Sequence, residues 1–280
     1  MAKHGQTSPL VTDLEPPPHI DGIQFERLIA RNDIASVYRG VHESAPVAIK
    51  IYSLRALLNT SWNERALREK RAQRAVEHPC IARLLDAGQT QDGAPYLISQ
   101  WAEGSTLEAL LSKGRLDWER ARPITIAIVR ALRAIHAASM VHRDLKPSNI
   151  IIPDSGDPAA ILLDFGHVLL LDEARLTESG WSLGTAAYMA PEQANGITPD
   201  GRADLYSLGV TLYRALTGAL PFEHVSPAVV VDLHRHEPVI EPRKRVPEIP
   251  VIANDLVMWL MEKRPEHRAP SANVLLHTIR

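Results

Sequence analysis

The sequence predicts an α+β fold in two lobes, a small β-rich lobe followed by a larger helical one. Three observations predict it. Between residues 23 and 101 the apolar residues fall in short, strand-length runs, and Val47, Ile49 and Ile51 alternate with Ala48, Lys50 and Tyr52 at the period of two that marks a strand. From residue 117 onward the spacing becomes helical, with Ile124, Ile128, Ala131, Leu132 and Ile135 on one stripe. The chain has 280 residues, 45% of them hydrophobic, ample for a packed core in one large domain or two lobes. Strands first and helices after is the order of an α+β chain.

Residues 1–20 are polar and end in Glu15-Pro16-Pro17-Pro18, which reads as a flexible tail or extended lead-in because proline fixes φ and lacks a donor. The folded domain is expected over 21–280, with the small lobe over about 21–100 and the large lobe over about 104–280. Residues 61–77 read as a charged helix favoured by Ala66, Ala72 and Ala75, ended by His78-Pro79. Strand-like runs follow at 81–86 and 95–101. Helices are expected over 117–138, 203–217, 227–236 and 252–263, and a last one from Ser271. No internal repeat and no low-complexity segment is present.

Composition excludes several classes. The 31 basic and 33 acidic residues leave a net charge of −2, without the basic excess of a nucleic-acid protein. The one cysteine, Cys80, allows no intrachain disulfide and suits a reducing, cytoplasmic setting; its apolar neighbourhood predicts a buried small residue. No run approaches the ~18 apolar residues of a membrane span, and the N-terminus lacks the apolar core of a secretion signal. The pair His234 and His236 is a poor metal site by itself and is expected as a solvated helix end.

The chemistry concentrates in one run and its echo, His142-Arg143-Asp144-Leu145-Lys146-Pro147-Ser148-Asn149, then Asp164-Phe165-Gly166. The run supplies a carboxylate, an ammonium and an amide; the echo supplies a second carboxylate. Together they equip a site to move a phosphoryl group: a carboxylate beside an acceptor hydroxyl, a cation for phosphate charge, and two oxygen ligands for Mg²⁺. Each piece alone is an ordinary turn or surface residue; the joint pattern is not.

These motifs, with Val47-Ala48-Ile49-Lys50, Ala190-Pro191-Glu192 and Asp204-Leu205-Tyr206-Ser207-Leu208-Gly209 in order, resemble the eukaryotic-like serine/threonine protein kinases, in particular the bacterial branch. The resemblance covers residues 23–280 and implies the two-lobed protein kinase fold, with transfer of the ATP γ-phosphoryl group to protein Ser/Thr hydroxyls. It implies Asp144 as the residue that orients and deprotonates the hydroxyl, Lys146 beside the transferring phosphoryl, and Thr185 bonded to both. Asn149 and Asp164 are the implied Mg²⁺ ligands. Lys50 is implied at the α/β-phosphates and paired to Glu69, chosen over Glu64 by its spacing from His78-Pro79. Further nucleotide contacts are implied at Ala30, Asn32, Ala35, Val37, Ala48 and Ile151, and at the hinge through Ser99, Gln100 and Ala102. The segment 164–192 reads as an activation loop with Thr177, Ser179 and Ser182 as candidate phosphosites that could pair with Arg143. Glu192 and Arg268 match a buried structural ion pair, and Asp204 a brace of the catalytic loop. The partners implied are ATP and a Ser/Thr protein substrate, and the family admits a homodimer through the small lobe.

One segment departs. Where the family has G-x-G-x-x-G-x-V, this chain has Ala30-Arg31-Asn32-Asp33-Ile34-Ala35-Ser36-Val37. The missing glycines predict either left-handed strain at non-Gly residues, at about 1–2 kcal/mol each, or a rearranged lid. Two readings therefore stand: an active kinase, favoured because Lys50, Glu69, Asp144, Asn149 and Asp164 are all kept, and a nucleotide-binding pseudokinase scaffold. A small-molecule phosphotransferase of this fold is disfavoured by Lys146, Thr185 and the 190–192 segment.

Overall fold

Strands β1 (Ile23–Arg31), β2 (Ala35–His42) and β3 (Ala45–Tyr52), helix α1 (Thr60–Ala75), and strands β4 (Leu84–Gln89) and β5 (Pro95–Gln100) build the N-terminal region. The computed structural model describes residues 16–54, 60–166, 168–170 and 183–279. The five strands form one antiparallel sheet in the order β1-β2-β3-β5-β4. Its register sorts side chains by face. Val47, Ile49 and Ile51 pack with Ile20, Tyr38 and Ile98 on one side. Lys50 stands opposite Val37 and Leu97, and Ala48 opposite Ser99, so these share the other side, the one turned to α1 and its Glu69.

The chain continues through β6 (Gly104–Thr106), α2 (Leu107–Leu111), α3 (Trp118–Ala137), β7 (Met140–Val141), a short 3₁₀ turn (Pro147–Asn149), β8 (Ile150–Pro153), β9 (Ile161–Leu162) and β10 (Leu169–Leu170). The remaining helices are α4 (Leu183–Ala186), α5 (Pro191–Ala194), α6 (Gly201–Thr217), α7 (Pro227–His236), α8 (Pro242–Arg245), α9 (Val251–Leu260) and α10 (Ala272–Thr278). Among the described residues, no helix is long and apolar enough to cross a membrane.

Helix α3 starts at Asp117, whose carboxylate accepts the Arg120 N–H at 2.8 Å, an N-cap bond worth about 1 kcal/mol. Its predicted stripe of Ile124, Ile128, Ala131, Leu132 and Ile135 is buried. Helix α6 is buried along nearly its whole length. It is capped by Asp200 and closed by Gly218 at φ +79°, whose N–H reaches the Arg214 carbonyl at 2.8 Å. Gly209 lets α9 approach, since a Cβ there would lie 2.8 Å from Leu260 Cβ. One large core joins these helices, with Phe165 and Leu145 of the site segments within it.

Three expectations change. The strand expected over 81–86 begins only at Leu84; Ile81 instead bridges to Leu162, and the Ala82 N–H bonds the Leu162 carbonyl at 3.0 Å, because the turn at His78 delivers this segment to β9 rather than to the sheet. Helices expected to 77 and 263 stop at Ala75 and Leu260. The histidine pair is not a solvated end: His236 is exposed, but His234 is fully buried, since a separation of two on a helix turns side chains about 200° apart. Cys80 is buried, as expected.

Candidate active site

Lys50 Nζ lies 2.9 Å from both Glu69 carboxylate oxygens and 2.7 Å from Asp164 Oδ1. The sheet supplies the lysine, α1 the glutamate and the segment after β9 the aspartate. Burial would lower the Lys50 pKa, but the Asp164 and Glu69 carboxylates outweigh it and hold the ammonium well above its ordinary value. Burial, with the Asp164 charge behind it, pushes the Glu69 carboxyl up, and Lys50 opposes this. Glu69 is only 1% exposed, so its charge depends on the ion pair. Tyr52 adds a further donor to Glu69 Oε2. The sequence reading gave Tyr52 no role, although the period of two sets it beside Lys50.

The backbone after β9 is specialised. Asp164 has φ +54°, uncommon for a non-glycine residue, and its Oδ1 accepts the Gly166 N–H at 2.9 Å. A Cβ on Gly166 would stand 3.0–3.2 Å from Asp164 Oδ1, Glu69 Oε2 and Lys50 Nζ, so glycine is what lets the charged cluster close. Phe165 is buried edge-on against His142 at 5.6 Å.

A second cluster centres on Asp144, which is 6% exposed. Lys146 Nζ lies 2.8 Å from each of its carboxylate oxygens. Thr185 donates to Oδ1 at 3.3 Å and receives Lys146 at 3.1 Å. Asn149 Nδ2 donates to the Asp144 carbonyl at 2.8 Å and to Oδ2 at 2.9 Å. Both amide hydrogens are thereby used, which turns the Asn149 Oδ1 away from Asp144 with no hydrogen bond from the described residues. The Leu163 N–H bonds the Asn149 carbonyl at 2.8 Å, which brings Asn149 next to Asp164. A turned-out amide oxygen beside a carboxylate is a hard-oxygen donor set that fits Mg²⁺.

The catalytic-loop backbone is held from α6. Asp204, fully buried, accepts the His142 N–H at 2.9 Å, the Arg143 N–H at 2.8 Å and His136 Nε2 at 2.8 Å. Burial alone would raise its pKa; His136, His142 and these bonds overcome it and hold the carboxyl below the ordinary range. Arg143 sits at φ +65°, so Asp204 fixes a left-handed residue directly before Asp144. His136 was not anticipated, because only the fold brings α3 to α6. Glu192 and Arg268 form a buried bidentate pair at 2.7 and 2.8 Å. The segment after Thr185 is clamped from two helices: Ser207 donates to the Tyr188 carbonyl at 2.8 Å, and His234 Nε2 to the Ala187 carbonyl at 3.0 Å. His234 Nδ1 accepts from Tyr206, 2.8 Å away.

At the hinge, Ser99 shares the Lys50 side of the sheet, whereas Gln100 stands opposite Val47 on the other side. The Gln100 N–H is spent on the Arg83 carbonyl at 2.9 Å, so its carbonyl is what remains to face a ligand. The Ala102 backbone has no backbone partner among the described residues. A recess of about 620 Å³ touches Gln100, Trp101 and Ala102, but neither Lys50, Asp144 nor Asp164 lines it; it lies away from the charged clusters. Ile151 pairs with Thr106 and Ile161 and is half-buried. Thr177, Ser179 and Ser182 lie outside the described residues, as does the Glu64 side chain.

The lid decides between the two outcomes its missing glycines left open. Ala30 pairs with Val37 and Arg31 with Ser36, so the hairpin turns through 32–35. No residue from 30 to 37 has positive φ, and the left-handed strain expected from the missing glycines does not arise. The physical reason is Asn32. Its Oδ1 accepts the N–H groups of Ile34 and Ala35, each at 2.9 Å, and its own N–H bonds the Ala35 carbonyl at 3.0 Å, an Asx-type turn that needs no glycine.

Residues 23–279 match the protein kinase domain. The chain is 36% identical over 231 residues to a probable serine/threonine-protein kinase of Clostridium perfringens, covering 82% of this chain and 33% of that protein. It is 37% identical over 254 residues to the DNA damage-responsive serine/threonine-protein kinase RqkA of Deinococcus radiodurans, covering 89% and 38%. To the serine/threonine-protein kinase PknB of Mycobacterium leprae it is 32% identical over 264 residues, covering 91% and 42%. The chain thus spans less than half the length of these relatives. With the two charged clusters and the α+β architecture that positions them, this match establishes that the chain belongs to the protein kinase domain family.

Proposed function

We propose that this chain transfers the γ-phosphoryl group of Mg·ATP to Ser/Thr hydroxyls of proteins, and that its own activation segment at Thr177, Ser179 or Ser182 is among the acceptors. The observation that carries the reading is the Asp144–Lys146–Thr185–Asn149 cluster, assembled with Lys50, Glu69 and Asp164 in a single arrangement. ATP and Mg²⁺ are general to the family. When bound, the metal neutralises phosphate charge and orients the phosphates. Asn149 Oδ1 and the Asp164 carboxylate would hold it.

The chain's own groups then do the following. Asp144 accepts a hydrogen bond from the acceptor hydroxyl and takes its proton as the new P–O bond forms and the bond from the γ-phosphorus to the departing ADP breaks, with Thr185 and Asn149 fixing the carboxylate's orientation. Lys146 keeps positive charge against both Asp144 and the incoming phosphoryl oxygens. Lys50, held charged by Glu69, contacts the α/β-phosphates. Ser99, Ala48 and Val37 line the adenine side, Gln100 and Ala102 offer backbone, and Ile151 closes the floor. The clamped Ala187–Tyr188 backbone offers a platform for the peptide around the acceptor. A cytoplasmic setting belongs to this reading, on the single buried thiol.

The test is labelled-phosphate transfer from Mg·ATP to a generic basic protein by the wild type and by Asp144→Asn. Transfer by the wild type that falls at least about 100-fold in the variant is expected, the usual scale for losing a general base; equal transfer by the two sinks the assignment.

A further inference from the structure

The lid spends its amides on itself. Of the four N–H groups of residues 32–35, that of Asn32 bonds the Ala35 carbonyl at 3.0 Å, and those of Ile34 and Ala35 both point to Asn32 Oδ1 at 2.9 Å. The Ile34 carbonyl is tied to the Ser53 N–H at 2.7 Å, which anchors the turn to the end of β3. Arg31, the cation next to Asn32 in the chain, is directed along the hairpin to Ser36 Oγ at 3.0 Å and the Tyr38 hydroxyl at 3.3 Å. Asp33 at the tip is exposed and acidic. A loop that grips phosphate does so with N–H groups left free to converge on the anion; here an amide oxygen has taken two of them.

We infer that Asn32 is a positioning residue that closes the nucleotide lid on itself, so that the lid shapes the site but contributes little phosphate binding. The inference rests on the nucleotide reading of the site given above. Phosphate recognition then falls to Lys50 and to metal held by Asn149 and Asp164. The consequence is specific: the lid adds little to the affinity for the triphosphate, and removing the Asn32 oxygen releases two donors toward the phosphates.

Isothermal titration of the full chain with Mg·ATP and, separately, with adenosine tests this in the wild type, Asn32→Ser and Asn32→Ala. The readout is the ratio of the adenosine Kd to the ATP Kd on the same protein, so any loss of folded fraction cancels. The ratio is expected to rise about tenfold from wild type to Asn32→Ala, the equivalent of about 1.4 kcal/mol. Asn32→Ser falls between them, because a serine hydroxyl makes the same turn more weakly. Binding of both ligands with a ratio unchanged or reduced in Asn32→Ala overturns this inference alone. Binding of neither ligand by any of the three proteins overturns it together with the nucleotide reading.

Discussion

Replacing Asp204 by alanine removes the brace under the catalytic loop, and the structure sets the size of the effect. Three hydrogen bonds disappear: those from the His142 and Arg143 N–H groups, and that from His136. The two backbone donors remain at a site where Asp204 itself was fully buried, and an unsatisfied buried donor costs about 1–3 kcal/mol. Arg143 must also hold φ +65° without its partner, and such strain persists only when the surroundings enforce it. The expected loss is about 4 kcal/mol, read by urea denaturation, with Tm falling by roughly 2–4 °C per kcal/mol. Because the freed residue directly precedes Asp144, kcat should fall at least about tenfold, while the KM for ATP, which the proposed function assigns to Lys50 and the sheet, should stay near its wild-type value. The pH dependence follows the same group. Its folded pKa lies below the ordinary carboxylate range, so its contribution is present at neutral pH and is lost as pH falls through that depressed value; in Asp204→Ala this acid-side loss shrinks. A stability loss below about 1 kcal/mol with unchanged kcat would refute the bracing argument.

Two other sites give independent tests. Arg268→Met strands the Glu192 carboxylate, 6% exposed, and should cost about 3–5 kcal/mol; urea midpoints check it, and a loss under 1 kcal/mol counts against a buried pair. Burial, reinforced by Lys263, lowers the His234 pKa from 6.5 to about 4. The folded state therefore binds fewer protons than the unfolded one, and stability falls as pH drops from 6.5 toward 4, by about 3 kcal/mol in all. His234→Gln, which keeps a polar group but does not titrate, should flatten that slope in denaturation at pH 7 and pH 4.5; an unaltered slope would assign it elsewhere.

Much of this site was legible in the sequence, and the reasons differ by residue. Strand alternation placed Lys50 on its face, the family resemblance implied Glu69 as its partner through the spacing to His78-Pro79, and the two meet at 2.9 Å. The cluster around Asp144 followed from a run short enough to fold locally, with Thr185 reached by motif. Glu192–Arg268 and Asp204 were legible only through family resemblance, because their partners lie 76 and 62 residues away. What escaped was tertiary or conformational. Nothing local says that His136 reaches Asp204, or that α7 buries His234 against α6. Helices α2, α4, α5 and α8 have four or five residues, too few to show a period. For the lid, the missing glycines left strain and rearrangement both open. Asn32 resolves the turn through its side chain, and whether that bond forms depends on a backbone geometry the sequence does not display.

The most direct test of the central claim is intact-protein and peptide mass spectrometry of the wild type and Asp144→Asn after incubation with Mg·ATP. The account predicts phosphate on serine or threonine of the wild-type chain, within the 177–182 segment, and none on Asp144→Asn. Phosphate absent from the wild type, or present equally on both proteins, would contradict it.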